Sequence, residues 1–326
     1  MRDYVLKRIF YMIIVVIAVS IMAFVIINLP PGDFLTSQML ELAAEGHEVS
    51  EARMERLRAR YGLDLPIYQQ YFRWVRNMFQ GDFGRSFYYN RPVLGLILER
   101  LPWTIAISLA TIVFEFVVAV PIGIYSAVKQ YSIGDYVFTV IGFIGLAVPN
   151  FLLAIVLMYL FYNWFGISMG GLFSPEFIRE PWSIAKFLNM LQHIWTPIIV
   201  IGTAGTASLI RVLRGVLLDE LQKKYVLSAR ARGLSERKLL FRYPVRVAIN
   251  PVLSTIGWML PAIVSGEVLT AIVLNLPTTG PVLFQALRSQ DMHLAGAMVL
   301  FLTILTVIGT AISDVLLAWA DPRIRV

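Results

Sequence analysis

Carboxylates are rare in the long apolar stretches of this 326-residue sequence, and three stand out because they lie inside such stretches: Glu115, Glu267 and Asp314. An acid in apolar surroundings is costly, so it either serves a proton or ion pathway or hydrogen-bonds a neighbouring helix. Glu267, which closes the run Ser265-Gly266-Glu267, is the best candidate for lining a pathway, with Ser265 beside it. A structural hydrogen bond between helices is the alternative for Glu267.

The remaining side chains offer no catalytic centre. Cysteine is absent, so a thiol nucleophile, a thiolate metal site and a disulfide are excluded. No glycine is followed by lysine, so the chain lacks the phosphate-binding loop of P-loop ATPases. The histidines His47, His193 and His293 are far apart and form no metal-binding motif. We therefore expect a protein that is not an enzyme and that binds no cofactor itself.

The elements that hold these residues are membrane spans. The chain is 58% hydrophobic and 15% charged, with a mean hydropathy of +0.70, which is typical of integral membrane proteins. Six segments are long enough to cross a bilayer: about Ile9–Leu29, Trp103–Val128, Tyr136–Phe165, Ile194–Leu218, Ile249–Leu274 and Leu294–Ala320. The sequence predicts an all-α protein with six spans and an uncleaved first helix.

The distribution of charge sets the orientation. With both termini in the cytoplasm, the inner pieces hold 16 Lys/Arg against 6 acids, and the outer pieces hold 12 of each. An excess of Lys/Arg in short loops marks the cytoplasmic side, so we expect cytoplasmic termini.

The predicted domains follow from these spans: an anchor helix at 1–30, an extracytoplasmic segment at 31–101, a core at 102–320 with five helices, and a tail at 321–326. Within the second segment, Ser50–Tyr61 predicts a charged surface helix with Ser50 as its N-cap. Gly81-Asp82-Phe83-Gly84 predicts a turn. The insert Gly166–His193 predicts a loop with a short helix.

A basic segment separates two of the apolar stretches. Ten Lys/Arg and three acids lie between Arg211 and Arg246. Asp219–Arg232 predicts one helix, Gly233 suits the left-handed position that ends it, and Leu234 can supply the apolar contact that follows. Ser235 and Glu236 predict the start of a second helix, which Pro244 ends or kinks.

One face of the first predicted helix carries small residues. Val226 and Ala229 are three apart and Gly233 follows four later, whereas Ser228, Arg230 and Arg232 point elsewhere. Small residues allow a second backbone to approach closely, so the pattern is compatible with docking. A basic loop that lies on anionic lipid is the alternative, and spacing alone leaves both open.

Several motifs, in order along the chain, resemble the B-type permease subunit of ABC importers for dipeptides, oligopeptides and nickel. The basic segment is similar to the EAA loop of these permeases, in the residues Tyr225, Val226, Ala229, Arg230, Ala231, Arg232, Gly233, Leu234 and Ser235, followed by Arg242, Arg246, Ala248 and Pro251. The other matching runs are Arg8 with Leu29–Asp33, Tyr61–Asp64, Gly81–Ser86, and Leu317–Ala318 with Asp321–Arg325. The resemblance covers nearly the whole chain.

The resemblance implies a type I (MetI-like) importer permease fold in a bacterial or archaeal inner membrane. The segment 219–246 would be its coupling loop, with Tyr225–Ser235 seated on a cytoplasmic ATPase. Expected partners are a homologous second permease, two P-loop ATPase subunits that bind ATP and Mg, an extracytoplasmic binding protein, and the lipid bilayer. Nucleic acid is not expected.

The family pattern changes after the fifth predicted span, where Ala271 replaces a Glu and Pro277-Thr278-Thr279-Gly280 replaces a glycine-rich run, although Asp291 is retained. This change bears on the substrate, for which the resemblance leaves oligopeptides, oligosaccharides and nickel chelates open. The rival function is an ion-coupled carrier or channel that uses Glu115 or Glu267 and needs no ATPase.

Overall fold

The computed structural model describes residues 2–29, 64–256, 259, 262–263 and 267–320, with side chains between residues 10 and 311 of these ranges. Every regular element in this part of the chain is helical, as predicted. The helices are α1 Arg2–Ile27, α2 Ile67–Phe79, α3 Val93–Val128, α4 Ile133–Ala147, α5 Asn150–Phe165, α6 Ile184–Leu221, α7 Lys224–Ala231, α8 Glu236–Arg242, α9 Pro244–Ser254, α10 Val268–Val273, α11 Thr279–Arg288 and α12 Met292–Ala320.

Four described helical stretches are long and apolar enough to cross a membrane: Phe10–Ile27, Val93–Val128, Ile184–Leu221 and Met292–Ala311. A fifth candidate is the pair α4 and α5, which is bent by 107°. The predicted span Tyr136–Phe165 is therefore broken into two helices between Ala147 and Asn150. The predicted span Ile249–Leu274 lies partly outside the described residues; α9 forms its start and α10 its end.

Proline explains the bend between α4 and α5. Val148 is extended, with φ −89° and ψ 122°, as expected of a residue that precedes proline. Pro149 has no N–H to continue the first helix, and its carbonyl accepts hydrogen bonds from the backbone of Leu152 and Leu153 at the start of the second.

The chain divides into two units, Met1–Trp103 with Thr278–Val307 and Thr104–Pro277 with Ile308–Val326. The first unit packs the end of α1, α2, and the starts of α3 and α12 around a core that includes Phe24, Trp74, Ile97, Leu294 and Met298. The C-terminal end of α1 therefore lies beside the N-terminal ends of α3 and α12, as expected of successive membrane crossings.

The turn that follows α2 belongs to this first unit and confirms the prediction at Gly81–Gly84. Gly81 and Gly84 have φ of +79° and +75°, and the Asp82 carboxylate accepts a hydrogen bond from the Gly84 N–H at 2.9 Å. The predicted helix Ser50–Tyr61 and its N-cap Ser50 lie outside the described residues.

The second unit is built on α6, which begins ten residues before the predicted span. Ser183 caps its start by accepting a hydrogen bond from the Lys186 N–H at 3.2 Å. The insert before it contains a 3₁₀ turn at Pro175–Phe177. The C-terminal half of α6 packs with α3 and α9 around Leu209, Leu213 and Leu217.

Candidate functional site

The basic segment folds into two short helices joined by a tight turn, here called the elbow (residues 224–242). The helix predicted over Asp219–Arg232 is interrupted: α6 runs to Leu221, a turn follows at Gln222, and α7 begins at Lys224. That single-helix prediction is wrong. The second predicted helix is α8, and the break before Pro244 is confirmed because α9 starts with this proline.

Gly233 has the predicted left-handed conformation, with φ of +79°. Its N–H bonds the carbonyl of Arg230 at 3.0 Å, and the Leu234 N–H reaches the carbonyl of Ala229 at 3.4 Å. A Cβ placed on Gly233 would meet no atom within 4 Å. The backbone conformation, and not crowding within the chain, therefore favours glycine here.

The small-residue face of α7 points inward. Val226 and Ala229 are fully buried against Leu239 of α8, with Leu234 and Tyr243 packed on the same cluster. Helix α8 of the same chain therefore covers Val226 and Ala229.

The outward side of the elbow carries the other predicted residues. It presents Tyr225, Arg230, Ala231, Arg232, Gly233 and Ser235 to the surroundings. Ser235 occupies the N-cap position of α8, but its side chain makes no capping hydrogen bond, so the capping prediction is wrong in its chemistry. The exposed surface of the elbow thus combines cations with the large apolar side chains Leu227 and Phe241.

An exposed ion pair spans the turn. The Arg230 guanidinium donates two hydrogen bonds to the Glu236 carboxylate, at 2.6 and 3.0 Å. This contact lowers the pKa of Glu236 and raises the pKa of Arg230. It ties the last turn of α7 to the first turn of α8 and so fixes the angle of the elbow.

Tyr225 joins the elbow to the end of α6. Its hydroxyl donates a hydrogen bond to the Glu220 carboxylate. Burial and this bond to a carboxylate raise the pKa of Tyr225 to about 12, so the phenol stays protonated at neutral pH. The elbow is therefore held at both ends, through Tyr225 to α6 and through Pro244 to α9.

The hydrogen-bond interpretation of Glu267 agrees with the structure. Asn150, the first residue of α5 after the bend, donates a hydrogen bond to Glu267 Oε1 at 2.7 Å. The same amide reaches the carbonyl of Ile201 on α6 at 3.5 Å. Asn150 thus links the start of α5 to Glu267 and to α6. Ser265 lies outside the described residues.

Glu115 lies deeper than Glu267, on α3, and is only 2% exposed. Gly205 of α6 leaves the room for it, because a Cβ at Gly205 would overlap the carboxylate. Its Oε2 and the hydroxyls of Thr111 and Thr206 are buried without a hydrogen-bond partner among the described residues. Asp314 lies on α12, and its side chain is outside the described part of the chain.

An ion pair between the buried Asp135 and the partly buried Arg214 was not predicted. Asp135, at the start of α4, accepts hydrogen bonds from Arg214 Nε and Nη2 at 2.9 and 2.8 Å, and a third from the Tyr131 N–H. An arginine within the apolar run of α6 was the signal that could have found it. The pair fixes the start of α4 against the helix that leads into the elbow.

Asp291, retained in the altered region, has a structural role. It is fully buried and accepts hydrogen bonds from Ser86 Oγ at 2.5 Å, from the Tyr88 N–H at 3.1 Å and from the Leu294 N–H at 3.2 Å. The carboxylate thereby caps α12 and holds the turn after α2. Thr279 and Gly280 form the first turn of α11.

The histidines that the structure describes are structural. His193 contacts the carbonyl of Asn189 at 2.8 Å, and His293 packs on Phe87 and against Gly84. No group of three or more His, Asp or Glu in the described ranges is arranged to hold a metal ion.

Two family models match the chain. The model described as binding-protein-dependent transport system inner membrane component matches residues 119–326, and the N-terminal model of the same transport systems matches residues 1–110. The chain therefore belongs to the binding-protein-dependent transport system inner membrane components, which are permease subunits of ABC importers.

Curated relatives match over the full length. The oligopeptide transport system permease protein AppB of Bacillus subtilis is 34% identical over 327 residues, with all of both chains covered. A putative peptide permease protein of Brucella ovis is 31% identical, and the dipeptide transport system permease protein DppB of Lactococcus lactis is 28% identical, again over the whole of each chain. The chain is an ABC importer permease of the peptide family, as the resemblance predicted.

Proposed function

We propose that this chain forms half of the translocation pathway of an ATP-driven, binding-protein-dependent importer of oligopeptides. The observation that carries the proposal is the elbow, which is fixed to α6 and α9 and presents an exposed basic surface. Names of the full-length relatives support peptides over oligosaccharides or nickel chelates. The bias of Lys/Arg along the chain supports an elbow and termini in the cytoplasm.

In the proposed mechanism, a P-loop ATPase subunit binds the outward side of the elbow. ATP-driven closure of two such subunits moves the elbow, and the packing of α6 with α9 around Leu213 and Val252 carries the motion into the spans. A second permease completes the pathway, and a binding protein delivers the peptide on the other side of the membrane. This chain contributes no catalytic group; ATP and Mg are bound by the ATPases.

Reconstitution tests the proposal. The chain is tagged, purified from its native membrane with its partners and placed in proteoliposomes with the binding protein. The proposal predicts that P-loop ATPases and a second permease co-purify, and that labelled peptide enters only with ATP. Oligosaccharide uptake in place of peptide uptake would overturn the substrate assignment alone.

Substitution of Gly233 tests the role of the elbow in that assay. Gly233→Val should abolish ATP-driven uptake while the chain remains folded, because a β-branched side chain resists the left-handed conformation and adds bulk to the outward surface. Gly233→Asn is the matched control, since asparagine tolerates this conformation better than valine. Full uptake by the Val variant would contradict the proposal.

The buried, unpartnered Oε2 of Glu115 favours one second candidate, an ion-coupled carrier that works without ATPases. That function predicts gradient-driven flux through the chain alone and loss of this flux in Glu115→Gln. The importer predicts no flux through the chain alone.

A further inference from the structure

Helix α2 (Ile67–Phe79) has three distinct sides. One side is packed into the first unit through Tyr71, Trp74 and Met78. A second side, here called the aromatic stripe, consists of Tyr68, Phe72 and Phe79, which are 61%, 67% and 89% exposed. At 100° per residue these three aromatics fall within about 40° of one another on the helix circumference.

The third side of α2 is polar and basic. It carries Gln69, Arg73 and Arg76, all exposed, and the helix contains no acidic residue. A helix with an aromatic side, a basic side and low overall hydrophobicity is typical of elements that lie in the plane of a membrane surface. Composition alone does not show whether the aromatic side contacts lipid or water. The depth of the helix in the membrane distinguishes the two.

Contacts with α1 place α2 at membrane depth. The Ser20 hydroxyl lies 2.8 Å from the Tyr71 hydroxyl, and Phe24 packs on the rings of Tyr71 and Trp74, with centroids 5.3 and 5.8 Å apart. Ser20 is seven residues before the end of the apolar span Phe10–Ile27. At 1.5 Å per residue, that contact lies about 10 Å inside the end of the span.

Contacts with α12 give the same depth independently. Trp74 lies against Gly296, where a Cβ would be 2.8 Å from the ring. Phe83, just after α2, packs on Phe301 with ring centroids 5.4 Å apart. These two partners lie four and nine residues inside the apolar span Met292–Ala311, roughly 6 and 13 Å from its first residue.

We propose that α2 is an interfacial helix whose aromatic stripe lies in the lipid, at the boundary between headgroups and acyl chains. Tyr68, Phe72 and Phe79 bury their rings among the lipids, because the depth set by Ser20, Phe24 and Gly296 leaves no bulk water beside them. Arg73 and Arg76 extend to the lipid phosphates, as long cationic side chains do at this level. This occupant differs from the binding protein, which the importer function would place on surfaces that project beyond the membrane.

Site-directed spin labelling of the assembled importer in lipid nanodiscs tests this inference directly, because the natural chain contains no cysteine. A nitroxide is attached to single cysteines at Phe72 and Phe79 of the stripe. Val25→Cys, on the exposed apolar side of α1, serves as the lipid control, and Arg73→Cys serves as the polar control on the same helix. Collision with oxygen reports lipid exposure, and collision with a water-soluble nickel chelate reports water exposure.

At the labels on Phe72 and Phe79, the collision rate with oxygen divided by that with the nickel chelate should be close to the value at Val25. It should be severalfold higher than the value at Arg73. A ratio like that at Arg73 would overturn the proposal in favour of water. Low access to both reagents at Phe72 and Phe79, or protection that appears when the binding protein is added, would overturn it in favour of a protein partner. A second measurement keeps Tyr68 and Phe79 and replaces only Phe72. The fluorescence of this Phe72→Trp variant should be quenched by lipids brominated near the headgroup more than the wild-type fluorescence is.

Discussion

Two turns that share the local sequence Gly-x-Ser lie in different surroundings. In Gly84-Arg85-Ser86 and in Gly233-Leu234-Ser235, the glycine has a positive φ, of +75° and +79°. Ser86 is buried and bonds Asp291, whereas Ser235 is exposed and makes no capping bond. A Cβ at Gly84 would lie 3.2 Å from His293, but one at Gly233 would meet nothing.

The difference shows what each turn is for. The first turn is locked to α12 from inside, so its residues serve stability. The second turn joins two short helices and its outward side is uncovered, which the proposed docking of an ATPase would require. Substitutions at matched positions of the two turns test this difference.

The largest expected effect is at Asp291. Asp291→Ala removes the acceptor for Ser86, Tyr88 and Leu294, and leaving buried donors unpaired costs about 1–3 kcal/mol each. We expect the purified chain to lose most of its thermal stability in detergent. Asp291→Asn, which keeps one acceptor oxygen, should lose less, and equal stability of the Ala variant and the wild type would refute the structural role.

The next largest effect is the difference in stability between alanine variants of the two glycines. Gly84→Ala should lower the unfolding free energy by about 2 kcal/mol, because it combines the cost of a positive φ with a contact against His293. Gly233→Ala should cost about 1 kcal/mol, since only the backbone term applies. Unfolding of both variants under identical conditions measures the difference, and the reverse order would contradict the comparison.

The serines of the two turns should differ in the same direction as the glycines. Ser86→Ala removes one of the two donors to Asp291 Oδ2 and the acceptor for the Tyr89 N–H, so it should cost about 1–2 kcal/mol. Ser235→Ala removes no hydrogen bond that the helix uses, so its stability should be unchanged within error. A measurable loss at Ser235 would show that its side chain does cap α8.

The smallest expected effect concerns the exposed pair Arg230–Glu236. Arg230 holds the folded-state pKa of Glu236 below its ordinary value, so the pair's contribution is full above that ordinary pKa and is lost as pH falls through the lowered one. Amide exchange across residues 230–236, corrected for intrinsic rates, should be faster in acid than at neutral pH. Glu236→Gln should remove this dependence, and an unchanged dependence would mean that another group causes it.

The local backbone conformation was predictable from the sequence, but the packing of one helix against another was not. The positive φ of Gly233, the break at Pro244 and the turn at Gly81–Gly84 follow from residue type alone. The inward burial of Val226 and Ala229 depends on α8 folding back. Pro149 breaks the helix, but the size of the bend, 107°, depends on packing against other elements, such as the contact of Asn150 with Glu267. The apolar content of Tyr136–Phe165 predicted a membrane span. It did not predict the bend, because both halves of the segment are apolar.

The two carboxylates illustrate the same limit. Sequence placed Glu115 and Glu267 in spans, but only the packing distinguishes them: Glu267 bonds Asn150, and Glu115 sits against Gly205 with one oxygen unpartnered. The ion pair of Asp135 with Arg214 was missed because its members are 79 positions apart.

Cross-linking from the elbow tests the central claim most directly. A single cysteine replaces Ala231, which is exposed on the elbow, and a matched one replaces Ile178, which is exposed in the insert before α6. Both are treated with a short photoactivated reagent in native membranes, with and without ATP. We expect the Ala231 site to capture a P-loop ATPase subunit in a nucleotide-dependent yield and the Ile178 site to capture none. Capture of lipid alone at Ala231, in membranes that import peptide, would contradict the claim that the elbow couples this permease to its ATPases.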